Sequence, residues 1–393
     1  MIDATMTKRM EEATRLTRAG KLSEAMALLQ GAGDNVKSQQ APKASSQPGN
    51  VYESTCQVVD EDFSTVKPTP SSSSYERTRK ASAWADKWSS FQGMAQPSPT
   101  PGRSEEARPG AFTAGSFSNR AGSRDYKLFL PSSYHGQAMP LVVMLHGCTQ
   151  NPDDFAAGTN MNQLAEEQSF CVLYPAQPIS VNSSKCWNWF KAEDQQREGG
   201  EPEILAGMAR QIIQTQGLDA SRVYVAGLSA GGAMATTLAM NYPDLFAAVG
   251  VHSGLPHGVA KSLPDALAAM QGGTSTQAGR FSSDVPAIIF HGDRDTTVHL
   301  SNAERVAAQY AVTKTKRDIN AEQGRVAGGH GYTRTVYHDT LGEARLEQWR
   351  IHGAGHAWAG GSAKGSYTDP KGPDATKEML RFFMQHRQKD TMC

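Results

Sequence analysis

At 393 residues, with 38% hydrophobic and 20% charged residues, the chain has the composition of a globular protein and enough length for a sizeable core. Its 39 Lys+Arg balance 39 Asp+Glu, so no global charge draws it to nucleic acid or to an anionic membrane. No run of about 18 apolar residues reads as a transmembrane span, and the charged start lacks the apolar centre of a signal peptide, so a cytoplasmic location is the expectation.

Residues 1–30 place Met6, Met10, Ala13 and Leu16, then Leu22, Ala25, Met26 and Leu29, at helical spacing around a break at Ala19-Gly20, which predicts a short helical hairpin. Residues 31–109 are rich in Ser, Pro, Gln, Lys and Gly and read as a mostly disordered linker. Within it Trp84, Trp88 and Phe91 have the spacing of one helical turn that packs locally. The catalytic domain is expected over 110–393. Residues 112–118 and 125–130 predict two strands of an opening hairpin, and 141–145 is an apolar run suited to a strand buried on both faces. Further buried strands are expected at 171–174, 222–226, 248–252 and 287–290, with helical patterns at 203–214 and 230–241 between them. That alternation predicts an α/β fold, a mostly parallel central sheet with helices on both faces. Residues 332–338 and 345–351, separated by a Leu341-Gly342 turn, read as a last pair of strands. A closing helix at 376–387 would put Met379, Leu380, Phe383 and Met384 on one face.

The chemistry centres on Gly227-Leu228-Ser229-Ala230-Gly231, between the predicted strand at 222–226 and the helix at 230–241. Glycines two residues either side of a serine allow the tight strand-to-helix turn of a nucleophile elbow, where a Cβ would collide with backbone. Ser229 would then sit at a helix N-terminus, which favours developing negative charge. A serine hydroxyl needs a base, and the base needs an acid to hold its tautomer, in the chain order Ser, Asp or Glu, His. The strand at 287–290 runs into Asp293 and Asp295, of which Asp295 is the preferred acid and Asp293, nearer the strand end, the rival. The last strand leads to His352 and His356. His356, in the middle of the Gly-rich loop, is preferred as base, and His352, at the strand end, reads as structural. For the oxyanion the backbone N–H groups of Ala230 and Cys148 are the candidates, Cys148 lying in the loop after the strand at 141–145. The five cysteines show no CxxC or Cys/His metal spacing, so neither a disulfide framework nor a metal site is indicated, and a bridge between Cys148 and Cys186 stays open.

The segments HGCTQ at 146–150, CWNWF at 186–190, GLSAGG at 227–232, HGDRDTTV at 291–298 and GAGHAWAGG at 353–361 together resemble the polyhydroxybutyrate depolymerase family of esterases. The resemblance covers about residues 110–390 and implies an α/β-hydrolase fold, with Ser229 as nucleophile, Asp295 as acid, His356 as base and no metal or organic cofactor. The family is similar to acetyl xylan and feruloyl esterases, so it specifies the chemistry better than the substrate. Secreted members that degrade polymer carry a further polymer-binding domain after the catalytic one. The chain ends soon after its closing helix, so low activity on crystalline polymer is the expectation. Because many members are secreted, an extracellular location is the alternative. The aromatic Trp187, Trp189, Phe190 and Trp358 are candidates for lining the substrate groove.

The leading expectation is a serine esterase acting on poly- or oligo(3-hydroxyalkanoate) or short acyl esters, with association to a granule surface as a further expectation. The alternatives are a carbohydrate esterase of the same fold, and a granule-associated binding protein with a vestigial hydrolase domain.

Overall fold

The computed structural model describes residues 108–273, 281–311 and 318–388. The expected helical hairpin, nearly all of the expected linker and the Trp84, Trp88 and Phe91 turn lie outside these residues.

Chain order alternates as the sequence pattern predicts. β1 (Phe112–Asn119) and β2 (Gly122–Phe129) form the opening hairpin, followed by β3 (Leu141–Leu145), α1 (Pro152–Thr159), α2 (Met161–Gln168) and β4 (Cys171–Pro175). Then come α3 (Gly200–Gln216), β5 (Val223–Leu228), α4 (Ala230–Asn241), β6 (Ala248–His252), α5 (Leu263–Met270), β7 (Ala287–Gly292) and α6 (Ser301–Tyr310). β8 (Asp318–Arg325), β9 (Gly331–His338), β10 (Ala344–Ile351), the short β11 (Trp358–Ala359) and β12 (Thr368–Asp369), and α7 (Ala375–Phe383) complete the described part.

Ten strands form one sheet in the order β1-β2-β4-β3-β5-β6-β7-β10-β9-β8. The strands from β4 through β3, β5, β6 and β7 to β10 are parallel, and both margins are antiparallel. β3, β4, β5, β6 and β7 are buried along their whole length, as continuous apolar runs require when helices cover both faces. On one face α3, α4, α5 and α6 supply Ile204, Met208, Met234, Leu238, Ala266 and Val306 to the core. On the other, α1, α2 and α7 supply Phe155, Met161, Leu164, Met379 and Phe383.

Two expectations need correction. The last pair of strands is a trio, because β8 pairs antiparallel with β9. Its sequence, DINAEQGR, is polar and poor in β-branched residues, so the strand is set by its partner's edge rather than by propensity. On α7, Phe382 is fully buried where Met384 was expected, and Met384 is exposed beyond the helix end.

A buried carboxylate ties the antiparallel margin to the closing helix. Glu347, on β10 and fully buried, accepts from Arg334 Nε at 3.1 Å and Nη2 at 3.0 Å, from Arg381 Nη2 at 2.6 Å and from Trp349 Nε1 at 3.3 Å. Burial pushes its pKa up, but the bonds from Arg334 and Arg381 outweigh it and hold the carboxyl below its ordinary 4.5. A group depressed on folding adds stability above its unfolded pKa and loses it as pH falls through the folded value. Glu347→Gln should therefore cost about 3 kcal/mol at pH 7, near the lower end for a broken buried pair because Arg334 keeps Glu322 and Arg381 keeps Glu378. Urea denaturation at pH 7 and pH 4 measures it. The difference from wild type should shrink at the lower pH.

Candidate active site

Ser229 sits between the end of β5 and the start of α4 with φ 57° and ψ −119°, a conformation a non-glycine residue rarely adopts. The turn is held by the Ser229 N–H, which donates to His252 O at 2.9 Å. It also depends on missing side chains. A Cβ on Gly227 would overlap the backbone of Gly231, and one on Gly231 would overlap the carbonyl oxygens of Leu145 and His146. Helix α4 thus starts pressed against the end of β3, and its first N–H groups have no carbonyl of the helix behind them.

The two acids and two histidines sort into two couples. His356 Nδ1 donates to Asp295 Oδ2 at 2.7 Å, while Asp295 Oδ1 accepts from the N–H groups of Thr297 at 2.9 Å and Val298 at 2.8 Å. Burial raises the Asp295 pKa, but the hydrogen bond and charge of His356, with His291 and the Val298 N–H, leave it below the ordinary value. A proton held on Nδ1 by this bond leaves the His356 Nε2 lone pair available. His352 instead uses both ring nitrogens, Nδ1 with Asp293 Oδ2 at 3.0 Å and Nε2 with Thr333 Oγ1 at 2.9 Å. Asp293 Oδ1 also accepts from Gly353 N at 2.7 Å, so this second couple pins the root of the loop that carries His356. The Ser229 hydroxyl makes no hydrogen bond to His356 in this structure. Contacts of this kind are often long without substrate and tighten when it binds.

The loop after β3 lies beside the serine, since a Cβ on Gly147 would come within 3.7 Å of Ser229 Cβ. The Cys148 N–H donates to no protein acceptor among the described residues, and Ala230 opens α4. Several contacts hold this loop. Cys148 is disulfide-bonded to Cys186, 38 residues on, a closure worth about 4 kcal/mol in the chain-entropy estimate. Gln150 Oε1 accepts from Gly147 N at 2.9 Å. Trp187 Nε1 donates to His146 O at 3.1 Å, and the Gln177 N–H donates to His146 Nε2 at 3.1 Å. Burial pushes the His146 pKa down to about 4, which keeps that nitrogen an acceptor.

The aromatic candidates divide. Trp187, Trp189 and Trp358 are 0%, 7% and 1% exposed and belong to the core, which corrects the expectation that they line a groove. Trp358 packs edge-on to Phe155 and donates to Thr376 Oγ1 at 2.9 Å. Phe190, partly buried against Trp189, alone of the four keeps an accessible face.

Sequence reasoning passed over two residues. His252 accepts from Ala359 N at its Nε2 at 3.0 Å while its carbonyl takes the Ser229 N–H, so one residue braces both the elbow and the His356 loop. Its signal was a histidine ending an otherwise apolar strand. Glu201, buried at the start of α3, accepts from Asn188 N at 2.7 Å, Asn188 Nδ2 at 2.8 Å, Arg124 Nη2 at 3.2 Å and Gln177 Nε2, and so supports the Cys186–Phe190 segment. No local pattern marked it. Among the described residues no group of three His, Cys, Asp or Glu is arranged to hold a metal ion, and no helix is long and apolar enough to cross a membrane.

With this geometry in view, the chain matches the family described as Esterase PHB depolymerase over residues 124–335, a stretch that contains Cys148, Ser229 and Asp295 and ends before His356. It is 32% identical to poly(3-hydroxyalkanoate) depolymerase C of Paucimonas lemoignei across 61% of this chain and 60% of that protein. It is 29% identical to poly(3-hydroxybutyrate) depolymerase of Ralstonia pickettii across 56% of this chain and 48% of that one, so it spans only about half to three fifths of these relatives. Acetylxylan esterase A of Aspergillus oryzae is 31% identical over 44% of this chain and 61% of its own length. Among solved structures, acetyl xylan esterase from Aspergillus awamori superimposes with a TM-score of 0.54 at 22% identity, covering 67% of this chain and 94% of that one, a likeness of fold.

The two acid–histidine couples make opposite demands. Asp295→Asn should lower kcat about 10⁴-fold through loss of the His356 tautomer, with folding intact by circular dichroism. Asp293→Asn should cost less than tenfold, since only the root of the loop is loosened. The reverse ranking in steady-state kinetics reassigns the acid.

Proposed function

The chain belongs to the Esterase PHB depolymerase family, and from that membership we propose that it is a serine esterase of hydroxyalkanoate and short acyl esters. The observation that carries the reading is the 2.7 Å bond between His356 Nδ1 and Asp295 Oδ2 in the loop fastened by His252 to the elbow of Ser229. In the proposed reaction His356 Nε2 takes the Ser229 proton as Oγ attacks the ester carbonyl. The oxyanion forms against the N–H groups of Cys148 and Ala230. His356 then returns the proton to the departing alcohol, and a water activated by the same nitrogen cleaves the acyl-enzyme, freeing the acid.

The similarity to depolymerases of hydroxyalkanoate polyesters supports a 3-hydroxyacyl ester as substrate, and a polyester granule surface as the place where it is met. The similarity to an acetylxylan esterase supports the second reading, an acetylated polysaccharide. For compartment the Cys148–Cys186 bridge is the guide. Disulfides persist in oxidising surroundings, so an extracytoplasmic setting is preferred to the cytoplasmic one expected from the chain's start.

A panel of a 3-hydroxybutyrate trimer, p-nitrophenyl butyrate and acetylated xylo-oligosaccharide, run on wild type and on Ser229→Ala, tests the reading. Wild type should favour the trimer, and the variant should lose at least about 10⁴-fold on every substrate it cleaves. Retention of a tenth of the turnover would remove Ser229 from the mechanism. For the compartment, thiol titration under denaturing conditions should find no more than three free thiols among the five cysteines; five would withdraw the bridge and the argument built on it.

A further inference from the structure

Two residues in strained backbone meet where the oxyanion loop and the His356 loop come together. Thr149, directly after Cys148, has φ 67°, and Tyr367 has φ 52°. Neither a β-branched nor an aromatic residue adopts this region without cost, and such strain persists only where surroundings over-determine it. Here they do. Asp154 Oδ1 accepts from Ser366 N at 2.9 Å and its Oδ2 from Ser366 Oγ at 2.5 Å, while Gln150 Nε2 donates to Ser366 O at 3.1 Å. The Tyr367 carbonyl accepts from Trp358 N at 2.7 Å, two residues after His356. Thr149 N is held in turn by Ser184 O at 2.7 Å.

All this backbone restraint delivers one side chain that the fold itself does not use. Tyr367 is 46% exposed, and among the described residues its hydroxyl meets only Thr149 Oγ1, at 3.2 Å. Thr149 Oγ1 is closer to Cys148 O, at 2.6 Å, and donates there. The Tyr367 O–H is therefore the donor toward Thr149 in this pair, through a long bond that a better acceptor can replace. The phenol stands one residue from the proposed oxyanion donor on one side and joined to the His356 loop on the other.

We propose that Tyr367 is a substrate-binding residue that donates its phenolic hydrogen to the 3-oxygen of the acyl group, two carbons beyond the scissile carbonyl. This inference rests on the 3-hydroxyacyl reading of the substrate. That oxygen is a hydroxyl in a terminal unit and an ester oxygen within a chain, and it accepts a hydrogen bond in both. A plain alkanoyl ester has only CH₂ there. Tyr367 thus selects hydroxyacyl over alkanoyl groups, with Thr149 holding the ring's hydroxyl in place while the site is empty.

The test compares p-nitrophenyl 3-hydroxybutyrate with p-nitrophenyl butyrate, which differ by one oxygen, on wild type, Tyr367→Phe and Ser229→Ala. Tyr367→Phe keeps the ring and the backbone, and should lower kcat/KM about fivefold on the hydroxybutyrate while leaving the butyrate within twofold, as expected for one neutral hydrogen bond. An equal loss on both esters means that Tyr367 only shapes the loop, and no loss on either means that it touches no substrate. Both results overturn the proposal and leave the esterase reading standing. A Ser229→Ala variant as active as wild type overturns the catalytic reading, and this subsite with it.

Discussion

The site depends on how closely the start of α4 approaches the end of β3. Gly231 lies under the carbonyls of Leu145 and His146, Gly227 lies against Gly231, and Gly232 lies against Gly254 and the His252 carbonyl. Four chain segments meet there with no side chain between them. The turn from strand to helix is consequently too tight for ordinary backbone, and Ser229 takes the strained angles that project its hydroxyl above the sheet. The same approach brings Gly147, next to Cys148, against Ser229, and Ala230 opens α4 directly after the serine. One steric constraint thereby bears on the proposed nucleophile and on both segments that carry the candidate oxyanion donors.

The proposed base, His356, is carried on a loop, and loops are ordinarily mobile. Here the loop is tied at both ends. His352 bonds Thr333 of β9, Asp293 N donates to Ile351 O at the end of β10, and His252 accepts from Ala359 three residues beyond His356. His252 accepts that bond because it is neutral. Burial pushes its pKa down to about 3. Its ring also stacks between Phe290 at 5.8 Å and Trp358 at 5.2 Å. An apolar residue would fill the same space and leave the Ala359 N–H unpaired. A histidine held neutral meets both requirements.

What was legible in the chain was what local pattern encodes. Apolar runs marked the buried strands within one or two residues at most ends, and the glycines around Ser229 marked the elbow because sterics at two residues' range demand them. The preference for Asp295 and His356 rested on chain order and distance from the strand ends, and the structure couples those two residues to each other. Trp187 and Trp358 were misjudged because a tryptophan in a polar, Gly-rich stretch looks accessible, whereas each lies under the loop with its N–H satisfied by His146 O or Thr376 Oγ1. β8 and Glu201 left no local trace, since one is made by its partner strand and the other by four donors brought from three places in the chain.

The division of labour between the two sides of the serine follows from what each must hold. The acid side needs one bond of fixed direction, and a buried aspartate with three donors provides it. The oxyanion side needs backbone N–H groups aimed at a charge that exists only during reaction, and such donors are effective when they do not have to reorganise. A loop that leaves the Cys148 N–H without a protein acceptor among the described residues gains no stability from that group, so its geometry has to come from other contacts. The Cys148–Cys186 bridge, the Gln150 clamp, the Trp187 N–H on His146 O and the Gln177 N–H on His146 provide those contacts, and Glu201 steadies the segment at the far end of the bridge. Thr149, strained at φ 67°, sits in the middle of these anchors. The strain falls where the loop passes from Cys148 to the contact with Tyr367.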